Sequence, residues 1–409
     1  MDLSEISEKD IIDRLRFENP WWQDKKIPDF YGKLPEREYF KSFLPIVQNT
    51  TVHRAVVLMG PRRVGKTVML FQAIGMMLKK GINPRKICYI NVENPYFLNL
   101  PLERLFAYAR RASGVEEHNG WFVFFDEIQY LKDWEVHLKS LVDSYHETKF
   151  IASGSAAAAL KLKSNESGAG RFTDFMLPPL TFYEYIHLKG LENLVSKIED
   201  NFLDMEAIDI KSLNKHFIDY INFGGYPEVV FSEELKKDPG RYIRSDIIDK
   251  VLLRDLPSLY GIENVQELNK FFSTIAYNSG NEFSFEAMTQ LSGVDKTTIR
   301  KYLTFLEAAY LIKIVHRVDM NLKRFKRENF FKIYLTNAAM RSALFSPIVA
   351  EDDSMGNMTE TAIFSQSLMQ EDYQSLYYAR WQDGEIDMVI LNNKGLKPDG
   401  LIEIKWSNR

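Results

Sequence analysis

The sequence predicts an α/β fold whose N-terminal half contains a parallel central sheet, followed by segments of other classes. Three observations lead to this fold class. Short apolar segments alternate with longer helix-like segments from Arg54 to about Pro179. The loop Gly60–Thr67 lies between an apolar strand and a helix-forming segment. A carboxylate pair, Asp126 and Glu127, ends another apolar strand.

Composition and charge restrict the class of protein. The chain of 409 residues is long enough for about two to four domains, and its 45% hydrophobic content is sufficient to bury them. The 52 basic and 56 acidic side chains leave a net charge of −4, so nucleic-acid binding would require a local basic patch. Cys88 is the single cysteine, which excludes an intrachain disulfide. The polar N-terminus and the lack of any apolar run approaching about 18 residues predict a cytoplasmic protein with no membrane segment.

Residues 1–50 are predicted to form an N-terminal arm, in which prolines separate aromatic and charged side chains. A helix is predicted from Arg37 to Gln48, leading into the first strand. The arm either packs on the core or covers the base of a bound nucleotide.

Residues 51–181 are predicted to form the parallel-sheet core. Because buried parallel strands are short and continuously apolar, the strands are expected at Val56–Met59, Ile87–Val92, Phe122–Phe125 and Phe150–Ala152. A helix is expected at Val68–Lys79, directly after the loop Gly60–Thr67.

That loop, GPRRVGKT, matches the P-loop or Walker A pattern G-x-x-x-x-G-K-[ST] at each fixed position. Its glycines allow the backbone to fold around phosphate oxygens, and the start of the following helix presents free N–H groups to them. The sequence therefore predicts ATP or GTP binding, with Lys66 reaching the β- and γ-phosphates and Thr67 holding Mg²⁺. The predicted nucleotide-binding residues are Gly60, Pro61, Arg62, Arg63, Val64, Gly65, Lys66, Thr67 and Val68.

The other predicted catalytic groups follow later strands. Asp126 is expected beside the metal ion, and Glu127 is expected to polarise the attacking water. Ser153 or Ser155, at the end of the next strand, is the candidate for sensing the γ-phosphate, and a simple Ser-Gly-Ser turn is the alternative. Arg171, in a glycine-rich loop, is either an arginine finger that neutralises the transferring phosphoryl group or a partner in a loop salt bridge. The predicted catalytic residues are Glu127, Lys66, Arg171 and Ser155.

The segments GPRRVGKT, FFDEIQYLKDWEVHLKSLVD, IASGS, GAGRF and LPPLTFYEY together resemble a family of bacterial and archaeal AAA+-type ATPases of the additional-strand, catalytic-glutamate class. The resemblance runs through nearly the whole chain. It implies an AAA+-like P-loop core, a helical lid, a winged-helix segment and a restriction-endonuclease-like C-terminal module, with ATP and Mg²⁺ as cofactors.

Residues 182–262 are predicted to form the helical lid, because the alternation of strands and helices stops at Phe182. The resemblance places FGGYPEVV and LLRDL in this lid and makes Arg254 a candidate phosphate-sensing arginine. A salt bridge from Arg254 to Asp255 or Glu228 is the alternative.

Residues 263–345 are predicted to form a winged-helix domain. Two packed helices are expected on either side of a glycine-containing turn, with Asp295 capping the second. The segment Lys313–Lys332 carries seven basic and two acidic side chains, a net charge of +5. A basic hairpin next to such a helix predicts DNA binding through residues 283–332, and protein contacts are the alternative. The helix residues expected at DNA are Thr297, Thr298, Arg300 and Lys301.

Residues 346–409 contain a second chemical constellation. A predicted hairpin, Gly384–Leu391 with Leu401–Trp406, would bring Asp387 beside Glu403 and Lys405. Two carboxylates with a lysine are the groups that metal-dependent phosphodiester cleavage uses. This set resembles the restriction-endonuclease-like pattern PD-(D/E)xK, and the resemblance adds Glu360 as the upstream helical glutamate. The chain ends at Arg409 directly after this strand, so the module is expected to be incomplete or the chain truncated. An ordinary exposed hairpin of charged residues is the alternative to a nuclease site.

Two hypotheses for function follow. In the first, the protein is an ATP-hydrolysing AAA+-like switch that acts on DNA through the winged helix and the endonuclease-like module. In the second, it is an ATP-gated scaffold that binds a partner protein, and its nuclease-like domain is inactive. An arginine finger acting between subunits would require a homo-oligomer.

Overall fold

The computed structural model describes residues 6–155, 170–197, 205–318, 330–367, 376–382, 384–391 and 398–407. The chain divides into two units, Met1–Leu177 and Pro178–Arg409. Each unit contains β-sheets of its own.

The first unit is built on a sheet of five parallel strands. The strands are β1 (Ala55–Met59), β2 (Ile87–Asn91), β3 (Phe122–Asp126), β4 (Lys149–Gly154) and β5 (Phe172–Met176). Their order is β2-β3-β4-β1-β5, so β4 lies between the strand that enters the P-loop and the strand that ends in Asp126. The prediction of a parallel α/β core is confirmed. The half-buried strand β5 was not predicted from the sequence, because it lacks the continuous apolar character of the other four.

Seven helices accompany this sheet within the described part of the first unit. A capping box between Ser7 and Asp10 starts the first of them. The predicted helices at Val68–Lys79 and Arg37–Gln48 correspond to α5 and α4. The helices are α1 (Glu8–Glu18), α2 (Trp21–Asp24), α3 (Asp29–Gly32), α4 (Phe40–Gln48), α5 (Lys66–Lys79), α6 (Leu102–Ser113) and α7 (Trp134–Ser144), with short 3₁₀ turns at Pro84–Lys86 and Ile128–Tyr130.

The N-terminal arm packs against the outer edge of β2. Trp21 and Trp22 are buried, and their indole Nε1 atoms donate to the carbonyl oxygen of Ile87 at 2.9 and 2.8 Å. An edge strand presents unpaired backbone groups, so these side chains satisfy an acceptor that the sheet leaves open. Of the two roles considered for the arm, packing on the core is therefore the one that these contacts support.

The first part of the second unit is mainly helical, in the range predicted as the lid. Strands β6 (Val195–Lys197) and β7 (Met205–Ala207) form a small antiparallel pair. The helices are Phe182–Leu188, Ile210–Phe223, Pro227–Phe231, Glu233–Lys237 and Leu256–Tyr260, with π-helical segments at Gly240–Asp249 and Val251–Asp255.

The remainder of the second unit contains a mixed six-stranded sheet of order β13-β12-β11-β9-β10-β8. The strands are β8 (Glu282–Ser284), β9 (Ile312–Val318), β10 (Phe330–Leu335), β11 (Leu376–Trp381), β12 (Gly384–Leu391) and β13 (Pro398–Ile402). Helices Val265–Tyr277, Phe285–Ser292 and Lys296–Ala308 surround β8, and helices Ala339–Leu344 and Met355–Ser367 follow β10. Strand β9 pairs in parallel with β11, so one sheet spans the predicted boundary between residues 345 and 346.

Within residues 283–332 two helices, Phe285–Ser292 and Lys296–Ala308, are joined by a glycine-containing turn. Gly293 ends the first helix with a φ of 76°, in the left-handed region that favours glycine. The Asp295 carboxylate accepts from the N–H groups of Thr297 and Thr298 at 2.9 and 3.1 Å and caps the second helix. Strands β9 and β10 then pair antiparallel. The predicted basic residues Lys323, Arg324, Lys326 and Arg327 lie outside the described residues.

Candidate functional site

The loop Gly60–Thr67 connects β1 to the first turn of α5, as the motif requires. Gly65 has a φ of 99°, and a Cβ atom on Gly60 would overlap the carbonyl oxygen of Leu177. Both positions therefore require glycine. Val64 is buried, and its carbonyl oxygen accepts from Arg37 Nη1 at 2.7 Å, so the arm also fixes this loop. The other predicted loop residues surround the same turn: Pro61 is buried, Arg62 and Val68 are half-buried, and Arg63 is exposed.

Lys66 is buried at the start of α5, and its ammonium group is directed back over the loop. Its Nζ atom donates to the carbonyl oxygens of Gly60 at 3.1 Å and Pro61 at 2.8 Å. Burial lowers the pKa of Lys66, and the carboxylates of Glu127 and Asp126 oppose that shift. A cation held here lies where the phosphates of a nucleotide in a P-loop would be bound.

Asp126, at the end of β3, forms a hydrogen bond with the last residue of the P-loop. Its Oδ2 atom accepts from Thr67 Oγ1 at 2.7 Å and from the Tyr89 hydroxyl at 2.7 Å. Its Oδ1 atom accepts from Ser153 Oγ and from the backbone N–H of Glu127. Burial and the charge of Glu127 raise the pKa of Asp126, and the hydrogen bonds from Ser153, Tyr89 and Thr67 act in the opposite direction. Burial also raises the pKa of Tyr89, so its hydroxyl keeps its proton and donates.

Glu127 lies directly after β3 in the left-handed backbone conformation, with φ of 55° and ψ of 46°. A non-glycine residue in this region is uncommon, and such residues are concentrated at functional sites. Gln129 Nε2 donates to Glu127 Oε2, and Gln129 Oε1 accepts from the backbone N–H of Ser155 at 3.1 Å. Gln129 thus connects the predicted catalytic glutamate to the predicted sensor. Sequence reasoning missed it, although its position two residues after Glu127 is a usable signal.

The two candidate sensor residues have different surroundings. Ser153 is bonded to Asp126. The Oγ atom of Ser155 is buried and has no hydrogen-bond partner among the residues that the structure describes. Because a buried hydroxyl without a partner is costly, Ser155 is the serine with a hydroxyl available for a ligand.

Arg171 lies where β1 and β5 begin, whereas the P-loop lies where β1 ends. Its carbonyl oxygen accepts from the N–H of Ala55, the first residue of β1, whereas the P-loop follows Met59 at the other end of that strand. A strand of this length spans roughly 16 Å. Its Nε atom is paired with Asp143 Oδ1 at 2.5 Å, which is the salt bridge considered as the alternative. This position does not suit a finger that acts on this chain's own P-loop, whereas the salt bridge and a role toward another subunit are both compatible with it.

Thr67 and Asp126 fit a magnesium ion. Hydroxyl and carboxylate oxygens are the ligands that Mg²⁺ takes in proteins, usually together with substrate phosphates and water. Both groups lie within one hydrogen bond of each other beside the phosphate-binding loop.

A second cluster of acidic side chains lies in the six-stranded sheet. Carboxylate oxygens of Glu360, Glu385 and Asp387 all lie within 4.8 Å of one another. Glu360 comes from the helix Met355–Ser367, and the other two residues come from β12. The structure therefore brings together Glu360 and Asp387 as predicted, and it adds Glu385, which the sequence reasoning missed.

A lysine from β10 lies among these carboxylates. Lys332 Nζ is 2.7 Å from Glu360 Oε1 and also forms an ion pair with Glu385. Burial opposes the charge on Lys332, but the two carboxylates outweigh it and raise its pKa. Burial also raises the pKa of Glu360. The ammonium group neutralises part of the charge of these carboxylates, so a divalent cation at this cluster would compete with Lys332 for oxygens of Glu360 and Glu385.

Glu403 and Lys405, the other half of the predicted nuclease set, are not among the clustered side chains. Strand β13 ends at Ile402, so Glu403 and Lys405 follow the strand instead of lying on one of its faces, which corrects the prediction of a strand at Leu401–Trp406. The physical reason is local: Asp387 Oδ2 accepts from the N–H of Ile404 at 2.7 Å, and this bond replaces a ladder hydrogen bond. The side chains of Glu403 and Lys405 are exposed and pair with each other at 2.8 Å.

Of the seven basic residues predicted for the hairpin, the structure describes three, and each of these has an acidic side chain close to it. Lys332 is buried, and Lys313 Nζ is paired with Glu307 at 3.1 Å. Arg317 Nη1 lies 3.8 Å from Glu282. On the helix Lys296–Ala308, by contrast, Thr297, Arg300 and Lys301 are exposed, and Thr298 is half-buried. Arg254 is exposed on its π-helical segment in the second unit.

Residues 52–186 match a family described as an AAA domain. Together with the P-loop and the parallel five-stranded sheet, this match defines the N-terminal part of the chain as an AAA+-type P-loop domain. Residues 214–351 match a domain of unknown function, DUF8612.

Two uncharacterized proteins are similar to most of this chain. The chain is 24% identical over 350 residues to an uncharacterized protein of Methanocaldococcus jannaschii, covering 83% of this chain and 73% of that one. It is 24% identical over 338 residues to an uncharacterized protein of Haemophilus influenzae, covering 81% and 78%.

Solved structures with a similar chain path include a variant of Thermotoga maritima RuvB and AMPPCP-bound DnaA from Aquifex aeolicus. The RuvB variant is 17% identical with a TM-score of 0.34, covering 72% of this chain and 93% of that one. DnaA is 13% identical with a TM-score of 0.33, covering 71% and 92%. At these scores the likenesses carry no functional conclusion. Within the described ranges, no helix is both long and apolar enough to cross a membrane.

Proposed function

We propose that the protein is a magnesium-dependent ATPase of the AAA+ type. The observation that carries this proposal is the 2.7 Å hydrogen bond from Thr67 Oγ1 to Asp126 Oδ2. It joins the phosphate-binding loop to the carboxylate that ends β3, and Glu127 is the next residue. These are the positions that metal binding and water activation require in phosphoryl transfer.

Each residue then has a separate task. Lys66 neutralises the β- and γ-phosphates, and Thr67 and Asp126 hold Mg²⁺, which when bound neutralises charge on the phosphate oxygens. Glu127 accepts hydrogen-bond donation from the attacking water and polarises it. Gln129 holds the Glu127 carboxylate, and Ser155 offers its hydroxyl to the γ-phosphate.

The test is ATP turnover by the purified full chain, with Lys66→Ala and Glu127→Gln as variants. Lys66→Ala is expected to lose nucleotide binding. Glu127→Gln is expected to retain ATP binding while turnover falls about 100-fold or more, because general-base assistance contributes about 10² to 10⁴ in rate. Lys80→Ala, at the exposed residue that directly follows α5, is the matched control. Absence of turnover in the parent protein, with and without DNA, would refute the proposal.

Arg171 acts between subunits in this proposal. Its side chain is 44% exposed and lies at the end of the sheet away from this chain's own P-loop, where the P-loop of a second copy can reach it. A mixture of Arg171→Ala and Glu127→Gln chains is expected to regain part of the turnover that each lacks, because a mixed interface combines one intact finger with one intact glutamate. A monomeric protein with full turnover would exclude this role.

We also propose that residues 263–345 form a winged helix that binds DNA. The order helix, strand, helix, helix and hairpin supports this interpretation, as do the exposed side chains of Thr297, Arg300 and Lys301. Duplex DNA is expected to be retained with an affinity that falls steeply with salt, and Arg300→Ala with Lys301→Ala is expected to reduce the salt dependence. An affinity that does not change with salt would contradict a DNA-binding role.

The second candidate function is an ATP-gated scaffold with an inactive nuclease-like module. Glu403 and Lys405 of the predicted nuclease set are exposed and pair with each other, which favours this candidate over DNA cleavage. It predicts no cleavage of plasmid or linear DNA with Mg²⁺ or Mn²⁺. Cleavage that is lost in Lys405→Ala while ATP turnover is kept would instead establish a nuclease.

A further inference from the structure

Tyr89 is a group at Asp126 that no nucleotide-binding motif includes. An ionised carboxylate offers about four acceptor positions. At Asp126 the donors are Thr67, Tyr89, Ser153 and the Glu127 N–H, and a bound magnesium ion would take the place of one of them. Three of these donors come from the P-loop, the sensor strand and the catalytic glutamate. The Tyr89 hydroxyl comes from β2, at the edge of the sheet.

The ring of Tyr89 is held so that its hydroxyl points at Asp126. Tyr89 is buried and packs on Phe71, with 4.6 Å between ring centroids. Phe71 lies one turn beyond Thr67 in α5, and Tyr31 of the arm stacks on its other side at 3.9 Å. Close packing leaves the Tyr89 ring few alternative rotamers.

The backbone of Tyr89 is fixed by the arm as well. Its N–H donates to Asn19 Oδ1 at 2.6 Å, and its carbonyl oxygen accepts from Asn19 Nδ2 at 2.8 Å. Asn19 is buried and also donates to the carbonyl oxygen of Leu15 in α1 at 2.7 Å. One asparagine therefore satisfies both free backbone groups of Tyr89 at the open edge of β2.

We infer that Tyr89 is a positioning residue for magnesium-bound ATP: its hydroxyl holds Asp126 so that Oδ2 faces Thr67, and Asn19 of the N-terminal arm holds Tyr89 in place. Asp126 without this bond has one donor fewer on Oδ2 and turns more easily away from the loop. The arm thereby acts on the metal-binding pair through two successive contacts. This inference rests on the proposed ATPase function.

The test measures nucleotide binding across a series of MgCl₂ concentrations and in EDTA, with a fluorescent N-methylanthraniloyl derivative of ADP as the probe. Tyr89→Phe removes only the hydroxyl. Affinity in EDTA is expected to be unchanged. The Mg²⁺ concentration for half-maximal tightening is expected to rise about ten- to a hundredfold, the loss that one hydrogen bond to a charged group entails. ATP turnover at limiting Mg²⁺ falls in parallel and recovers at high Mg²⁺.

Tyr108→Phe is the matched control, because Tyr108 is a buried tyrosine of the same unit whose hydroxyl accepts from Arg104 Nε at 3.0 Å. It is expected to leave the Mg²⁺ midpoint unchanged. Asn19→Ala is expected to shift the midpoint in the same direction as Tyr89→Phe, together with a lower melting temperature.

The possible outcomes distinguish a failure of the proposed ATPase function from a failure of the role assigned to Tyr89. A parent protein whose affinity for the probe does not respond to Mg²⁺ refutes the proposed function itself. A parent that responds, with an identical midpoint in Tyr89→Phe, overturns only the role of Tyr89. Equal weakening of binding in EDTA and in Mg²⁺ would assign Tyr89 a purely structural role and also overturns the inference.

Discussion

Replacing Lys332 by methionine removes the positive charge from the acidic cluster and keeps a side chain of similar length. In the parent, Lys332 Nζ is 2.7 Å from Glu360, and the side chains of this pair are only 5% and 11% exposed. Removing one partner of a buried ion pair leaves an uncompensated charge and costs about 3–5 kcal/mol. Glu385 loses the same partner. For a unit of this size the loss corresponds to a fall in melting temperature of about 10 °C.

The assay combines thermal unfolding with hydrogen exchange of peptides from β10 and β12, which report the cluster directly. Lys313→Met is the control on the neighbouring strand. Its ion pair with Glu307 joins side chains that are 44% and 33% exposed, so its loss is expected to cost less than about 1 kcal/mol. Adding Glu360→Gln to Lys332→Met is expected to recover part of the stability, since one of the unpaired charges is then absent.

The metal dependence of the same variant tests the charge argument. With the ammonium group removed, the carboxylate oxygens of Glu360, Glu385 and Asp387 form a set suited to a divalent cation. Mn²⁺ is expected to raise the melting temperature of Lys332→Met and to leave that of the parent unchanged. A variant as stable as the parent in metal-free buffer would refute the reasoning that Lys332 is the cation of this cluster.

Three further predictions concern other parts of the chain. Gly60→Ala is expected to weaken nucleotide binding at least about tenfold, because the new Cβ overlaps the Leu177 carbonyl oxygen and displaces the loop. Fluorescence titration measures the affinity, and an unchanged affinity contradicts the prediction. Asn222→Ala is expected to lower the free energy of unfolding by about 2–4 kcal/mol, because Asn222 forms hydrogen bonds with both backbone groups of Ile348 and with the Ser342 hydroxyl. Chemical denaturation measures this free energy, and a loss below about 1 kcal/mol argues against the prediction. Burial lowers the pKa of Lys149 to about 8, below its value in the unfolded chain. Between about pH 8 and 10.5 the unfolded state therefore binds more protons than the folded state, and the contribution of Lys149 to stability rises with pH. Lys149→Met is therefore expected to be more stable than the parent at pH 7, and this difference is expected to shrink as the pH approaches about 10. A difference that stays constant would show that the charge of Lys149 is not the cause.

Local sequence determined the P-loop and the residues next to it. Gly60–Thr67 and the pair Asp126 and Glu127 are contiguous motifs between a strand and a helix or turn, so their geometry follows from backbone conformation within a few residues. Continuous apolar runs likewise identified four strands of the parallel sheet, because strands covered on both faces contain little else.

Sheet pairing and tertiary packing decided the rest. Tyr89 reaches Asp126 because β2 pairs with β3, and Asn19 reaches Tyr89 because the arm covers the open edge of β2; neither contact has a pattern in the sequence. Arg171 directly precedes β5. Because β5 pairs in parallel with β1, Arg171 lies at the start of β1, away from the P-loop at its end. Lys332 was counted with the exposed basic hairpin, but β10 lies between β8 and β9, and the pairing of β9 with β11 joins this part to the segment that carries Glu360 and Glu385. These two carboxylates neutralise the charge of Lys332. The physical reason is common to these cases: motifs record what a residue can do chemically, whereas the partners it meets depend on contacts between segments far apart in the chain.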